Sequence, residues 1–382
     1  MYSGYFNHYA RAAETYWDRR TFVRAWWKIY ASDRRWAPPP WSQCSRLLTR
    51  LDAPHLARMA PHFLHVEALP GRRRQPGEGG WGPSMALMEE PVAAAVLLAD
   101  PRRRDGTAYL ALLHLVNDEE SWDRLLGVVM EHLWTHGRHH LVGPTGLSPH
   151  WASGVLQDHF HVTPPWLTPY NPPYLPEVVA SSWQTAAQSR LYHAAVPNEP
   201  PDGDALRLDA LTSAELIPLV AARLAGDLLL LMVEATSLSD QFPRSDALEA
   251  EFILSQLAPG PTLGWLAQAA GQPIGFVLLA PDLAGPLLRA KGGRNPLWRL
   301  WLAARCRRPV ASGRVLLGAV DPAWRRRGIG RLLWQQALTA AQAQGWRTLT
   351  AGPVPDGTVA AHFLAACGAT PQQRYALYTS ES

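Results

Sequence analysis

The chain has 382 residues, 47% of them apolar and 18% charged, with 36 basic against 32 acidic side chains and a formal net charge of +4. That length exceeds one ordinary domain and suits two, each able to bury a core of its own. No apolar run approaches the roughly 20 residues of a membrane span, since the best candidate, 228–233, is closed by Asp227 and Glu234 and reads as buried core.

The opening stretch MYSGYFNHYARAAETYWDRR lacks the basic-then-apolar order of a signal peptide, so a cytoplasmic location is expected. Segments 85–98 and 108–115 are predicted strands, and 118–135 a helix with Asn117 or Ser121 at its start. The segment 143–179 (GPTGLSPHWASGVLQDHF and onward) is rich in Pro, Gly and Trp, the composition of a structured cover or pocket wall. HAAVPNEPPDGDALRL, 193–208, breaks every regular pattern and reads as a linker. It divides the chain into expected domains 1–198 and 199–382.

Beyond it, 205–208 is a predicted short strand, and Thr212, Ser213 and Glu215 read as a capped helix start. Residues 262–282 read as a hairpin turning at Gly271-Gln272. A strand at 313–320 precedes a helical stripe of Ile329, Leu332, Leu333, Ala337 and Ala340 that ends at Gly345. A strand at 346–351, a helix at 359–366 before Gly368, and a strand at 374–379 complete an α/β order with a mixed sheet.

The junction VDPAWRRRGIGRLLW, 320–334, carries the functional signal. Pro322 ends strand pairing, and Gly328 and Gly330 let backbone approach a ligand with no side chain in the way. The helix that follows presents unpaired amides and the positive end of its dipole, with Arg326, Arg327 and Arg331 beside it. Together these form a cradle for a pyrophosphate. A Walker loop is excluded because no lysine is present here, and a dinucleotide fingerprint because Leu333 stands at its third glycine.

Val320-x-Pro322 followed by Arg325-x-x-Gly328-x-Gly330 resembles motif A of the GNAT N-acetyltransferase superfamily, and the downstream Ala360-x-x-Phe363 helix ahead of Gly368 follows the same order. Residues 274–288, the Arg-rich segment before 314 and the closing RYALY extend the resemblance to a bacterial group with two GNAT-like halves, the first degenerate. The resemblance implies tandem GNAT-like domains, each a mixed, mostly antiparallel twisted sheet flanked by helices. It implies acetyl-CoA as co-substrate, its pyrophosphate held by Arg326, Arg327, Gly328, Ile329, Gly330 and Arg331. It also implies a pantetheine arm along Gly318, Ala319 and Val320, with a backbone N–H near Ala319 or Val320 as oxyanion donor. The implied activity is acetyl transfer to the amine of a small molecule, amino acid or peptide, met in a pocket between the halves. In the first half, Asn117, Asp118, Glu119 and Glu120 would repel a pyrophosphate, so no coenzyme is expected there.

The family's proton-donating Tyr and its loop Asn fall on Leu364 and Gly357. Tyr375 is the candidate acid in its place; Tyr378, His362 and water are the others. A non-catalytic CoA-binding or scaffold protein is the alternative. His132 and His136 stand at i,i+4 within EHLWTHGRHH but lack the Glu of a metalloprotease helix, and DHFH follows at 158–161, so no metal is expected. Cys44, Cys306 and Cys367 are few and far apart, with no disulfide or thiolate-metal spacing. The arginine triplets at 72–74 and 102–104 sit in loops without interleaved aromatics, so no nucleic acid is expected. The expected partners are an amine acceptor and a second copy in a homodimer.

Overall fold

The computed structural model describes residues 8–51, 53–68, 90–198, 215–218, 231, 233, 242–257, 262–306 and 308–380. The first half supplies β1 (His8–Ala12), α1 (Tyr16–Ile29), α2 (Trp41–Arg50), α3 (Pro54–Arg58), β2 (His62–Ala68), β3 (Glu90–Leu98), β4 (Thr107–Leu115), α4 (Glu119–Thr135) and β5 (His140–Thr145). The cover segment then forms β6 (Val155–Leu156) and α5 (Leu175–Ala180), and leads into the long β7 (Trp183–Ala195). The second half supplies β8 (Glu215–Pro218), α6 (Ala247–Leu257), β9 (Leu263–Ala269), β10 (Gln272–Pro281), α7 (Ala284–Ala290) and α8 (Pro296–Arg305). It continues with β11 (Ser312–Val320), α9 (Ile329–Ala343), β12 (Thr348–Pro355), α10 (Val359–Ala366) and β13 (Thr370–Ser380). Among the described residues no helix is long and apolar enough to cross a membrane.

These strands form one mixed, mostly antiparallel sheet, ordered β1-β2-β3-β4-β5-β13-β7-β12-β11-β10-β9-β8, with β6 beside β13. The parallel pairs are β4 with β5 and β11 with β12, and each is joined by a helix, as parallel neighbours require. The two halves therefore repeat one plan. Each also places its last strand beside the other's: β13 pairs with both β5 and β7, and β7 pairs with both β13 and β12.

The cores follow from helix amphipathicity. On one face of the second half, Ile329, Leu333 and Ala337 of α9 pack on Val277 and Leu349. On the other, Ile253, Leu287 and Leu302 pack on Phe276 and Leu316, and Trp166 of the first half's cover segment enters that same core. In the first half α4 packs Trp122 and Leu125 against Leu64 and Leu110, while α1 packs Phe22 and Trp26 against Val96 and Tyr109.

Several local expectations change. The α4 cap is Asp118, which accepts from the Ser121 amide at 2.9 Å, in place of Asn117 or Ser121. Glu215, expected in a helix start, opens strand β8 and pairs with Gln268; Pro218 ends it, as an edge strand tolerates. The hairpin turns at Ala270 (φ +49°) and Gly271 (φ +75°), one residue earlier than expected, with the two left-handed residues that match strand twist. His193 to Ala195, read as linker, close β7. The strand expected at 205–208, the cap at Thr212 and Ser213, and 85–89 of the first predicted strand lie outside the described residues.

A buried ionic network ties the halves together. Arg102 donates to Asp100 at 2.7 Å and to Glu249 at 3.1 Å, Arg58 pairs with Asp246, and Ser148 Oγ donates to Glu249 at 2.7 Å. Burial would raise the Asp100 carboxyl, but the Arg102 hydrogen bonds and charge outweigh it and hold the group below its ordinary value. Asp246 is lowered likewise, with Arg58 overcoming burial. Depressed folded values give stability that is present above the unfolded aspartate pKa of about 3.9 and is lost as pH falls through the folded one. The urea midpoint is accordingly expected to drop below about pH 4. Arg102→Met is expected to cost about 3–5 kcal/mol at neutral pH and to move the acid transition upward, because buried carboxylates lose their cation.

Candidate active site

β11 meets β10 along its length, from Gly313↔Pro281 to Val320↔Gly275. Against β12 it pairs only from Ser312↔Thr348 to Val315↔Ala351. Beyond that point β12 stays with β7, through Val354↔Arg190 and Pro355↔Ser189. The two parallel strands therefore fork. Among the described residues, the edge of β11 from Leu316 to Val320 that faces the fork has no strand partner. Leu316 is also an extra residue opposite the Leu278/Leu279 step, a bulge that increases the local twist. Gly318 is exposed there, and Ala319 and Val320 are half-buried.

The chain then caps a short turn, Pro322–Trp324, with the Asp321 carboxylate accepting from the Ala323 amide at 2.8 Å. Arg325 folds back to donate from Nε to the Val320 carbonyl at 3.2 Å. Arg326 (φ +63°) and Gly328 (φ +84°) both take left-handed backbone, which curls the loop over the start of α9. α9 has no side-chain cap, and its entry bond runs from the Leu332 amide to the Gly328 carbonyl at 3.0 Å. Among the described residues, the amides from Arg326 to Arg331 find no acceptor. The guanidinium of Arg327 lies 4.9 Å from the Trp324 ring centroid, and Arg326, Arg327 and Arg331 are exposed with no carboxylate partner among the described residues. An uncapped helix start beside unneutralised arginines attracts an anion. Gly330 matters for packing too, because a Cβ there would sit 3.3 Å from the Phe363 ring of α10.

The equivalent place in the first half is closed. α4 is capped by Asp118 and carries Glu119 and Glu120 in its first turn. Its strands pair through Ala111↔Thr145, and beyond that the Leu115 carbonyl accepts from the Tyr174 hydroxyl at 2.6 Å.

Beneath the second-half fork lies Arg314, a residue the sequence reading passed over. It is 3% exposed and donates to the Trp166 carbonyl and, at 2.6 Å, to the Gly352 carbonyl on the β12 arm. Among the described residues its Nε has no partner and no carboxylate pairs with it. Burial pulls the guanidinium down to about 10, still cationic at neutral pH. The signal was present in GRVLLGAV, where a charge falls at a position whose strand neighbours face a core. Tyr375 is fully buried against Leu156 and Leu191. Thr168 and Arg314 are its polar neighbours, yet its hydroxyl makes no hydrogen bond among the described residues; burial pushes its pKa up, so it stays protonated. Leu364 belongs to the core beneath α9, Gly357 sits in a turn at φ +74°, and His362 is exposed and bonded to the Thr358 carbonyl at 2.8 Å. The Tyr378 hydroxyl donates to Gln157 at 3.3 Å.

A cavity of about 180 Å³ lies between the cover segment and the paired starts of β11 and β12, and none of residues 316–331 lines it. His159 and Pro165 line it from the cover, His193 from β7, and Asp282, Thr350 and Gln373 from the second half. His193 Nε2 and Gln373 Nε2 are buried without partners among the described residues. A larger cavity, about 380 Å³, lies between α2 and α6 around Gln43, Arg46 and Glu251, and no loop residue reaches it. Asp158 of the DHFH stretch is taken up by Arg374 at 2.7 Å. His132 and His136 do share a face of α4, and His62 joins them.

Residues 230–369 match the family model described as Acetyltransferase (GNAT) family. No curated protein sequence matches the chain. Among solved structures, a tandem GNAT protein from the clavulanic acid biosynthesis pathway is similar at 15% identity and TM-score 0.57, with 98% of each chain covered. A GCN5-related glucosamine N-acetyltransferase region of a fungal multi-domain GH3 β-N-acetylglucosaminidase is similar at 12% identity and TM-score 0.54, covering 97% of this chain and 38% of that one. A GCN5-related N-acetyltransferase from Anabaena variabilis aligns at 8% identity and TM-score 0.50, covering 97% of this chain and 72% of that one. At such identities the likeness is one of fold.

The fork and the helix start are held together by close backbone contact. A Cβ on Gly275 would lie 2.9 Å from the Ala319 carbonyl and 3.3 Å from Ile329. Gly275→Ala is therefore expected to destabilise the protein by about 1–3 kcal/mol in urea unfolding, the cost of overpacking against backbone.

Proposed function

We propose that the chain, whose residues 230–369 match the GNAT acetyltransferase family model, is an acyl-CoA-dependent N-acyltransferase, carrying acetyl from acetyl-CoA to the amine of a small molecule, amino acid or peptide. The observation that carries the reading is the uncapped start of α9, with free amides from Arg326 to Arg331 next to an open strand edge. A pyrophosphate matches the amides of Arg326, Arg327, Gly328, Ile329, Gly330 and Arg331, and the three arginines balance its charge. The edge of Gly318, Ala319 and Val320 suits a pantetheine arm, whose amides can pair with backbone as a strand would.

The coenzyme supplies an acetyl thioester. An amine attacks its carbonyl carbon to form the C–N bond, the C–S bond breaks, the nitrogen gives up one proton and the leaving thiolate takes one. A backbone N–H near Ala319 or Val320 is the proposed donor to the carbonyl oxygen as negative charge develops on it. Tyr375 is the proposed proton donor: its buried hydroxyl is protonated, with Thr168 and the Arg314 cation as its polar neighbours. The proposed acceptor is small and met between the halves. The capped α4 and the Tyr174 bond to Leu115 support a single coenzyme site, in 199–382, with 1–198 acting as cover and pocket wall.

Leu364, in the hydrophobic core, favours a second reading: a protein that binds coenzyme A without turning it over. Thiol release with a panel of amines separates the two, because turnover on any acceptor removes the pure binder. Both require the cradle. Acetyl-CoA titrated calorimetrically into the wild-type chain is expected to bind at one site. Gly328→Glu is expected to weaken that binding roughly 100-fold, or about 2.7 kcal/mol, by placing an anion among the amides. Absence of binding to the wild type would overturn the proposal.

A further inference from the structure

Far from the fork, the structure draws together three imidazoles that the sequence separates. His62 is the residue at which β2 begins, His132 lies in the last turn of α4, and His136 is the α4 C-cap. Their ring centroids stand 4.0 Å (His62 to His132), 4.3 Å (His132 to His136) and 5.5 Å (His62 to His136) apart. One nitrogen from each lies within 4.8 Å of the others, and among the described residues no other three metal-binding side chains converge in this way. We propose that His62, His132 and His136 bind one divalent first-row transition metal ion, with zinc as the probe and solvent as fourth ligand.

The tautomers suit this role. His136 Nδ1 lies 2.8 Å from the His132 carbonyl, an acceptor only, so Nδ1 carries the proton and Nε2 keeps its lone pair. A backbone carbonyl orienting a ligand imidazole in this manner is the usual outer support of a metal site. His132 Nε2 is buried and has no hydrogen-bond partner among the described residues, a cost that a coordinate bond would remove. Burial foremost, then the neighbouring imidazoles, holds His62 and His132 below the ordinary imidazole range, so both offer lone pairs at neutral pH. Three nitrogen donors with no thiolate or carboxylate suit zinc, copper or nickel rather than magnesium or calcium. His136 is exposed and the other two half-buried, which leaves one side of the cluster open to water, as in three-ligand sites.

The ion would clip the C-terminal end of α4 to the start of β2, a strand that α4 already packs against. The expected consequence is therefore stability, not acyl transfer, and the site stands apart from the coenzyme reading. The full-length chain, stripped with EDTA and dialysed, is titrated with zinc chloride by calorimetry. One equivalent is expected to bind, and at a hundredfold excess over Kd the Tm is expected to rise by about 5 °C or more. His136→Ala, which changes an exposed side chain and is expected to keep the wild-type circular dichroism, should bind zinc at least tenfold more weakly. His62→Gln should do the same and should cut the Tm response at the same zinc concentration to about half or less. Cobalt provides a second readout, since bound at three imidazoles and water it gives visible absorption that excess zinc quenches. Failure of the stripped wild type to bind an equivalent of zinc with Kd tighter than about 0.1 mM, or undiminished binding by His136→Ala, overturns the proposal.

Discussion

A strand has two hydrogen-bonding edges, and how β12 uses them governs the rest of this molecule. One edge serves β7 as far as Pro355, the other serves β11 only to Ala351. Because β12 follows β7, β11 is left with an open edge where the chain turns into α9. The fork is therefore made by a strand of the first half. β7 is placed there by β13, which in turn reaches across to β5, so the four central strands interleave the two halves. Neither half presents this arrangement from its own strands.

That interleaving explains why one plan, used twice, gives different surroundings. Both halves run three antiparallel pairings, a parallel pair and a connecting helix. In the second, the helix starts on glycine in left-handed backbone, uncapped, beside three exposed arginines. In the first, Asp118 takes up the helix-start amide of Ser121, and Tyr174 takes up the end of the forked strand. The difference is one of satisfied against unsatisfied backbone groups, and it rests on a few side chains. The cover segment that supplies Tyr174 also sends Trp166 into the second half's core, where its carbonyl accepts from Arg314. A single Pro- and Trp-rich stretch thus closes one half and walls the other's cavity.

Legibility varied with the range of the interactions involved. Helix α9, strand β11 and helix α10 were readable almost to the residue, since their apolar spacing and glycine stops are local signals. The 13-residue β7 was not: residues 184–190 are exposed or half-buried on both faces, so no alternation marks them. The β8 error has the same origin, in that Thr, Ser and Glu gave a cap pattern but pairing with β9 decided the segment. Of the site, the loop could be named from glycines and arginines alone. Arg314 could not, because its importance comes from the Gly352 and Trp166 carbonyls, 38 and 148 positions away. His62 is likewise 70 residues before His132, and only the packing of α4 across β2 joins them.

By itself the sequence determined the chemistry available at the α9 junction: glycine at positions needing left-handed or side-chain-free backbone, cations in a loop, and a helix able to start there without a cap. Those are properties of neighbouring residues, set by sterics and dipoles over a few ångströms. Only the tertiary structure decided that β11 would keep a bare edge, that Tyr375 would be sealed beside Arg314, and that three histidines would meet. Each of these depends on which distant strand or helix wins a limited hydrogen-bonding edge or apolar face, and that competition is resolved across the whole sheet.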